Sequence, residues 1–263
     1  TVVPGFTLTA ENARAVGDIC VRLDGMPLAI ELAAARVNVL TAGQIAARLD
    51  DRFAFLKSER RDAIDGRHQT LRAAVDWSYD LLSAPEQMLF RRLSVFVGGC
   101  SLATAEAICK GDGVDGEQLL ATLSSLVNKS LVIADTLRSG EARYTTLETI
   151  RHYADEKLED SGEKPAIRER HLQYFLKLVE ETEPKLQGEF QQLWLNWLEE
   201  EAGNIRAALS YSLESGRVEA GLRMAASLYQ FWTIRAYREE GLSWFERLLA
   251  RANAGTSPAV RLK

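Results

Sequence analysis

A chain of 263 residues, 46% hydrophobic and 26% charged, is long enough for two or three small domains and too apolar to remain unfolded. Its formal net charge of −5 disfavours a dedicated nucleic-acid binder, whose phosphate contacts need a surplus of Lys and Arg. Residues 1 to 7, with Pro4 and Gly5, read as an extended lead-in. A first helix is expected from Leu8, capped by Thr9, with Val16, Ile19, Cys20 and Leu23 on one stripe and its end at Gly25. Gly25, Met26 and Pro27 then form a sharp turn: glycine takes the left-handed conformation that closes a helix, and proline opens the next one where its missing donor costs nothing. The second helix is read in LAIELAAARVNVL and a third, capped by Thr41, in AGQIAARLDDRFAFL, completing a small antiparallel bundle.

From Lys57 to Gly66 the apolar periodicity is lost. Lys57, Arg60, Arg61 and Arg67 mix there with Glu59, Asp62 and Asp65, the pattern of a solvated linker. Two helices joined by one turn follow between Gln69 and Phe96. Leu71, Ala74, Val75, Trp77, Ser78 and Leu81 form the stripe of the first, and Leu89, Leu93 and Phe96 that of the second. Ser83, Pro85 and Glu86 have the spacing of a capping box. Gly98 and Gly99 lead to a short helix from Ser101 to Cys109. The loop GDGVDG leads to another, EQLLATLSSLVNKS, with Leu119, Leu120, Leu123, Leu126 and Val127 buried. Two short strands, LVIAD and ARYTTL, split by Ser139 and Gly140, complete a winged-helix pattern, and Thr146 to Leu158 resumes a helix.

Everything from Glu163 onward reads helical. The expected stripes are Leu172, Phe175, Leu176 and Val179; Leu193, Trp194, Trp197 and Leu198; Ile205, Ala208 and Leu209; Leu222, Ala225, Ala226, Tyr229 and Trp232; and Trp244, Phe245, Leu248 and Leu249. Ser257 and Pro258 would open a further helix. The predicted fold is therefore mainly α: a helical bundle over 1–60, a winged helix with a small β-hairpin wing over 61–162, and TPR-like α-solenoid helices over 163–263.

No enzyme site is expected. His68, His152 and His171 are far apart, lack metal-ligand spacing and read as surface or interface residues, while Asp50 with Asp51 and Glu199 to Glu201 read as solvated charge. Cys20, Cys100 and Cys109 fall in helical patterns without paired spacing, which points to a reducing, cytoplasmic setting. No apolar run reaches membrane-span length and TVVPGF lacks the features of a signal peptide, so no membrane partner is expected and the chain reads as part of a longer polypeptide. No glycine is followed by the Lys of a phosphate-cradling P-loop. Direct DNA binding is disfavoured: the helix from Glu117 to Lys129 has Lys129 as its one basic residue, Asp112, Asp115 and Glu117 crowd its start, and the wing offers only Arg138 and Arg143.

The segments LDGMPLAIELAAAR, RHQTLRAAVDWSYDLLS, LFRRLSVFVGG, LVNKSLV, YTTLETIRHYADEKL and WLEEEAGNIRAAL together resemble the STAND-class signalling ATPases, of the NB-ARC or AP-ATPase type, and among them the large bacterial transcriptional regulators. The resemblance implies an upstream P-loop ATPase domain in cis, absent from this chain, followed by a helical lid, a winged helix and a repeat array that senses a protein or small-molecule inducer. It implies ADP or ATP with Mg in the parent, and no cofactor in this segment alone. The family's Gly-x-Pro motif falls on Gly25, Met26 and Pro27, with Leu28 following, and would cover bound ADP; a plain helix-hairpin turn satisfies the same residues. The family's Met-His-Asp motif aligns with Leu147, Glu148 and Thr149. Glu148 thus stands on the phosphate side, where a carboxylate cannot donate, and Thr149 or Arg151 would have to substitute. The leading expectation is a segment of a nucleotide-controlled switch, with a winged-helix DNA-binding regulator and a helical interaction scaffold as alternatives.

Overall fold

The computed structural model describes residues 6–23, 25, 27–37, 39–49, 66–111, 114–136 and 140–252. Met26, Asp50, Asp51, Lys57 to Asp65, Asp112, Arg138, Ser139, Ser257 and Pro258 lie outside the described residues, as do the side chains of Leu28, Arg67, His68 and Leu71. The fold is mainly α: a small helical bundle, a winged helix with a three-stranded sheet, and a stack of antiparallel helices.

The bundle comprises α1 (Ala13–Arg22), α2 (Pro27–Ala34) and α3 (residues 42–49). Thr9 and Asn12 cap each other's backbone across the lead-in turn, so α1 starts at Ala13 and not near Leu8. Gly25, at φ +65°, donates its N–H to the Cys20 carbonyl at 2.9 Å, the six-to-one bond that ends a helix on a left-handed residue. The second helix is shorter than its apolar run suggests. It stops at Ala34, and residues 35–37 turn so that Arg36 enters the interior and Val39 is left exposed. Thr41 and Gln44 then form the reciprocal cap of α3.

Helix α4 (Gly66–Asp80) serves both halves of the molecule. Ala74 and Trp77 complete the bundle core of Ile19, Leu23, Ile45 and Leu49, whereas Val75 belongs to the larger core, which runs continuously from the winged helix to Leu248. The helix ends at Asp80, one residue earlier than its apolar stripe suggests, so Leu82 is buried and Leu81 is exposed. Helix α5 (Ala84–Arg92) opens with the expected Ser83–Glu86 cap: the Glu86 carboxylate accepts the Ser83 N–H at 2.7 Å and its hydroxyl at 3.0 Å.

The winged helix continues through β1 (Cys100–Ser101), α6 (Leu102–Cys109), α7 (Gly116–Asn128), β2 (Ile133–Thr136) and β3 (Ala142–Thr145), then α8 (Glu148–Asp160). The antiparallel sheet has the order β1-β3-β2, pairing Cys100 with Tyr144 and Ala134 with Tyr144. Cys100 is therefore a strand residue, not a helical one; two residues are too few to leave an alternating pattern. Leu120 faces solvent on α7, and the buried side is Leu119, Leu123 and Leu126.

Five helices follow: α9 (Lys164–Thr182), α10 (Gln191–Glu200), α11 (Ala202–Glu214), α12 (Val218–Ile234) and α13 (Arg238–Arg251). The α9, α11, α12 and α13 interiors pack large side chains against small ones. A Cβ on Gly241 would lie 2.7 Å from the Trp232 ring, and one on Gly221 would lie 2.5 Å from Leu248. Leu193, Tyr229 and Leu249, expected on the buried stripes, are exposed, because α10 buries Leu195 with Leu198 and the outer faces of α12 and α13 have no neighbour among the described residues.

Candidate functional site

The winged helix leaves one face of α7 exposed, and the sequence holds that helix by buried charge. Arg92, 1% exposed, sends its guanidinium under the α6–α7 loop, donating to the carbonyls of Cys109 at 2.9 Å and Gly111 at 3.0 Å. Glu163 accepts from both Arg91 and Arg92 at 3.0 to 3.2 Å, so the residue that opens α9 also braces α5. At the other end of α7, Lys129 and Ser125 both bond the Glu86 carboxylate. Burial opposes that charge, but the bonds from Lys129, Ser125 and Ser83 outweigh it and hold the carboxyl at about 2.

The exposed face of α7 consists of Glu117, Gln118, Leu120, Ala121, Ser124 and Asn128. It carries hydrogen-bonding groups but no Lys or Arg, since Lys129 is committed to Glu86. Arg143, counted as one of the two cations the wing offers, is buried. Its Nε donates to the Gly98 carbonyl at 2.7 Å, Nη1 to Glu201 Oε1 at 2.7 Å, and Nη2 to the carbonyls of Gly99 and Glu200, both at 3.1 Å. Glu201, expected as solvated charge, is buried with it. Sequence patterning could not reveal this pair, because Arg143 stands next but one to the exposed Glu141 and Glu201 follows the exposed Glu199 and Glu200.

Asn204 completes the junction. Its amide donates to Gly99 O at 2.9 Å and Glu201 Oε2 at 2.6 Å, while its carbonyl accepts the Val97 N–H at 2.8 Å. Gly203 allows this approach, since a Cβ there would lie 2.4 Å from Val97 O. Beside it His171 is buried between Phe96 and Phe175, with ring centroids 5.7 and 4.6 Å away and Nε2 unpartnered. Burial, only partly offset by the Asn204 side chain, pushes this imidazole down to about 4.

The residues read as a nucleotide lid lie at two different helices. Pro27 is exposed at the start of α2, just after Gly25, and Leu28 follows in the same helix. Glu148 opens α8, where Arg151 donates to it at 2.9 and 2.7 Å and His152 Nε2 lies 3.0 Å away. The bond from Arg151 lowers the Glu148 carboxyl, and Arg151 also donates to Ser94 O at 3.1 Å. Thr149 is exposed. Among the described residues no group of three or more His, Cys, Asp or Glu side chains is arranged to hold a metal ion, and no helix is long and apolar enough to cross a membrane.

This order of helices and strands is that of a winged helix-turn-helix domain, and residues 82–159 match the family model of that description. Over 248 residues, 94% of its length, the chain is 47% identical to the Mycobacterium tuberculosis (strain H37Rv) protein named "Putative HTH-type transcriptional regulator Rv0890c", and equally to its Mycobacterium bovis counterpart Mb0914c. It spans only 28% of the length of these curated relatives. It is also 44% identical over 170 residues, 64% of this chain and 43% of the relative, to the uncharacterized Mycobacterium tuberculosis protein Rv0894. No solved structure matches.

Proposed function

We propose that this chain is the winged-helix and helical-array portion of a bacterial transcriptional regulator. The observation that carries the reading is its 47% identity, over 94% of its length, to proteins bearing that name, together with the winged helix-turn-helix match over residues 82–159. Within the regulator the winged helix acts chiefly as a rigid mount between bundle and array, and the array is the arm that receives a protein or small-molecule partner. The chain itself performs no catalysis.

Base reading by α7 is the rival that the family's description favours. Gln118 and Asn128 are side chains suited to base edges, but affinity for duplex DNA comes largely from Lys and Arg on phosphates. Lys129 and Arg143 are already paired with Glu86 and Glu201. Fluorescence anisotropy with a labelled duplex across a salt series separates the two. As a mount, the chain should bind no tighter than about 10 μM near physiological salt, with a log-log salt slope shallower than about −2. Submicromolar binding with a slope of about −5 would establish α7 as a reader and overturn the mount.

A second reading comes from the signalling-ATPase resemblance. In a parent with an upstream P-loop domain, Gly25, Pro27 and Leu28 would cover ADP, or ATP with Mg, and Glu148 would stand on the phosphate side. Its support here is the exposed, donor-free Pro27 ring at a helix start. ADP released on denaturing an extended protein, and lost in its Pro27→Ala variant, is the expected result. An extended protein that releases no nucleotide removes the lid reading.

A further inference from the structure

A groove of about 870 Å3 opens where the wing and α6 meet α9 and α10. On α10 its wall is Trp194 and Trp197, packed edge to face with centroids 6.3 Å apart. Carboxylates of Glu141, Glu181, Glu199 and Glu200 line it from three different elements. Two cations share the lining. Arg143 is consumed by Glu201 and three carbonyls, whereas Lys185 rests its ammonium 4.1 Å from the centre of the Trp194 ring. Among the described residues no carboxylate pairs with Lys185, and none of the ion pairs includes Glu200. Glu181 lies 3.7 Å from Lys177 and Glu199 lies 3.0 Å from Arg235, so Glu200 is the lining carboxylate left to meet an incoming charge, beside a groove that already holds a cation against an aromatic face.

We propose that this groove receives a lysine- or arginine-bearing segment of a partner protein, one basic side chain of which displaces Lys185 from Trp194 while a second meets Glu200. This deepens the reading of the array as a partner-receiving arm. A peptide fits better than a compact cation because of the spacing. Trp194 and Glu200 are six residues apart on α10, about 9 Å along the helix axis, too far for one ammonium to serve both. Basic residues two or three apart on an extended segment span about 7 to 10 Å. The short, buried junction of Arg143 with Glu201 keeps the two sides of the groove in register, so the peptide meets a preformed surface.

The test is fluorescence anisotropy of the whole chain with labelled peptides of alternating lysine and alanine or glutamate and alanine, and with spermidine as competitor. The lysine peptide should bind at least about tenfold tighter than the glutamate peptide, and Glu200→Gln and Trp194→Ala should each weaken it about threefold or more. The decisive variant is Lys185→Gln. By vacating the Trp194 face it should strengthen binding about threefold, whereas Lys177→Gln, which removes an equal charge beside Glu181, should change it by less than half as much. Equal effects of the two lysine variants would reduce the groove to diffuse charge, and so overturn the proposal. So would indifference to the sign of the peptide, or spermidine binding where the lysine peptide does not. The duplex-DNA titration is unaffected by these outcomes, so the groove and the mount reading fail separately.

Discussion

Arg143 on the wing and Glu201 between α10 and α11, 58 positions apart, meet at 2.7 Å in a buried ion pair that joins the winged helix to the helices after it. Every acceptor around the guanidinium belongs to the junction: Gly98, Gly99, Glu200 and Glu201. Removing one partner leaves the other charged and dry. Arg143→Ala should therefore cost about 3 to 5 kcal/mol in chemical denaturation. The double variant Arg143→Met, Glu201→Leu should recover part of that loss and not all, because the Gly98 and Gly99 carbonyls stay without their donor. A double variant as unstable as the single one would show that the pair itself contributes little.

His171 makes the same junction sensitive to acid. Its folded-state pKa is about 4 and its ordinary value 6.5. Above pH 6.5 both states are neutral and the residue adds no pH dependence. As pH falls from 6.5 to 4 the unfolded chain takes up a proton that the folded chain refuses, so stability declines, by about 3 kcal/mol in total; below pH 4 the loss stops growing. Urea denaturation at pH 7, 5.5 and 4 should show a steeper decline for the native chain than for His171→Leu. Parallel declines would mean that the imidazole takes up its proton in the folded state as readily as in the unfolded one.

Local features were legible in the sequence because their causes are local. The Ser83–Glu86 cap, the Thr41 cap and the Gly25 turn each lie within a few residues and appear as expected. Misreadings of one residue, such as Leu81 exposed where Leu82 is buried, arise because a stripe does not announce the residue at which the helix stops. The junction was illegible for a different reason. Arg143, Glu201 and His171 stand in charged or mixed surroundings along the chain, and only the packing of distant elements removes them from water. The exposed outer faces of α12 and α13 misled in the opposite sense, since their apolar periodicity promises a neighbour that the described residues do not supply.

Thiol chemistry should be confined to one cysteine. Cys20 is half-buried on α1, while Cys100 and Cys109 are fully buried. Burial pushes both interior thiols up, Cys109 to about 12, so neither offers thiolate near neutral pH. Titration of the native chain with a chromogenic disulfide should release one rapid equivalent, rising to three in denaturant. The Cys20→Ser variant should release none rapidly. A second fast equivalent would mean that the winged-helix core opens on the timescale of the reaction.

Two glycines should respond oppositely to the same substitution. Gly17 lies within α1 with nothing inside 4 Å of the position a Cβ would take, so Gly17→Ala should stabilise by about 0.5 to 1 kcal/mol through helix propensity alone. Gly203 lies in the first turn of α11, where a Cβ would stand 2.4 Å from Val97 O and 3.2 Å from its side chain. Relief requires α11 to move away from the Gly98–Gly99 turn. That motion would stretch the bonds of Asn204 to Val97 and Gly99, both under 3 Å. Gly203→Ala should therefore destabilise by about 2 kcal/mol or more, despite the same gain in propensity. Thermal unfolding of the two variants beside the native chain provides the comparison, and a Gly203→Ala chain as stable as Gly17→Ala would mean that the winged helix and the array are not held as closely as the Asn204 bonds require.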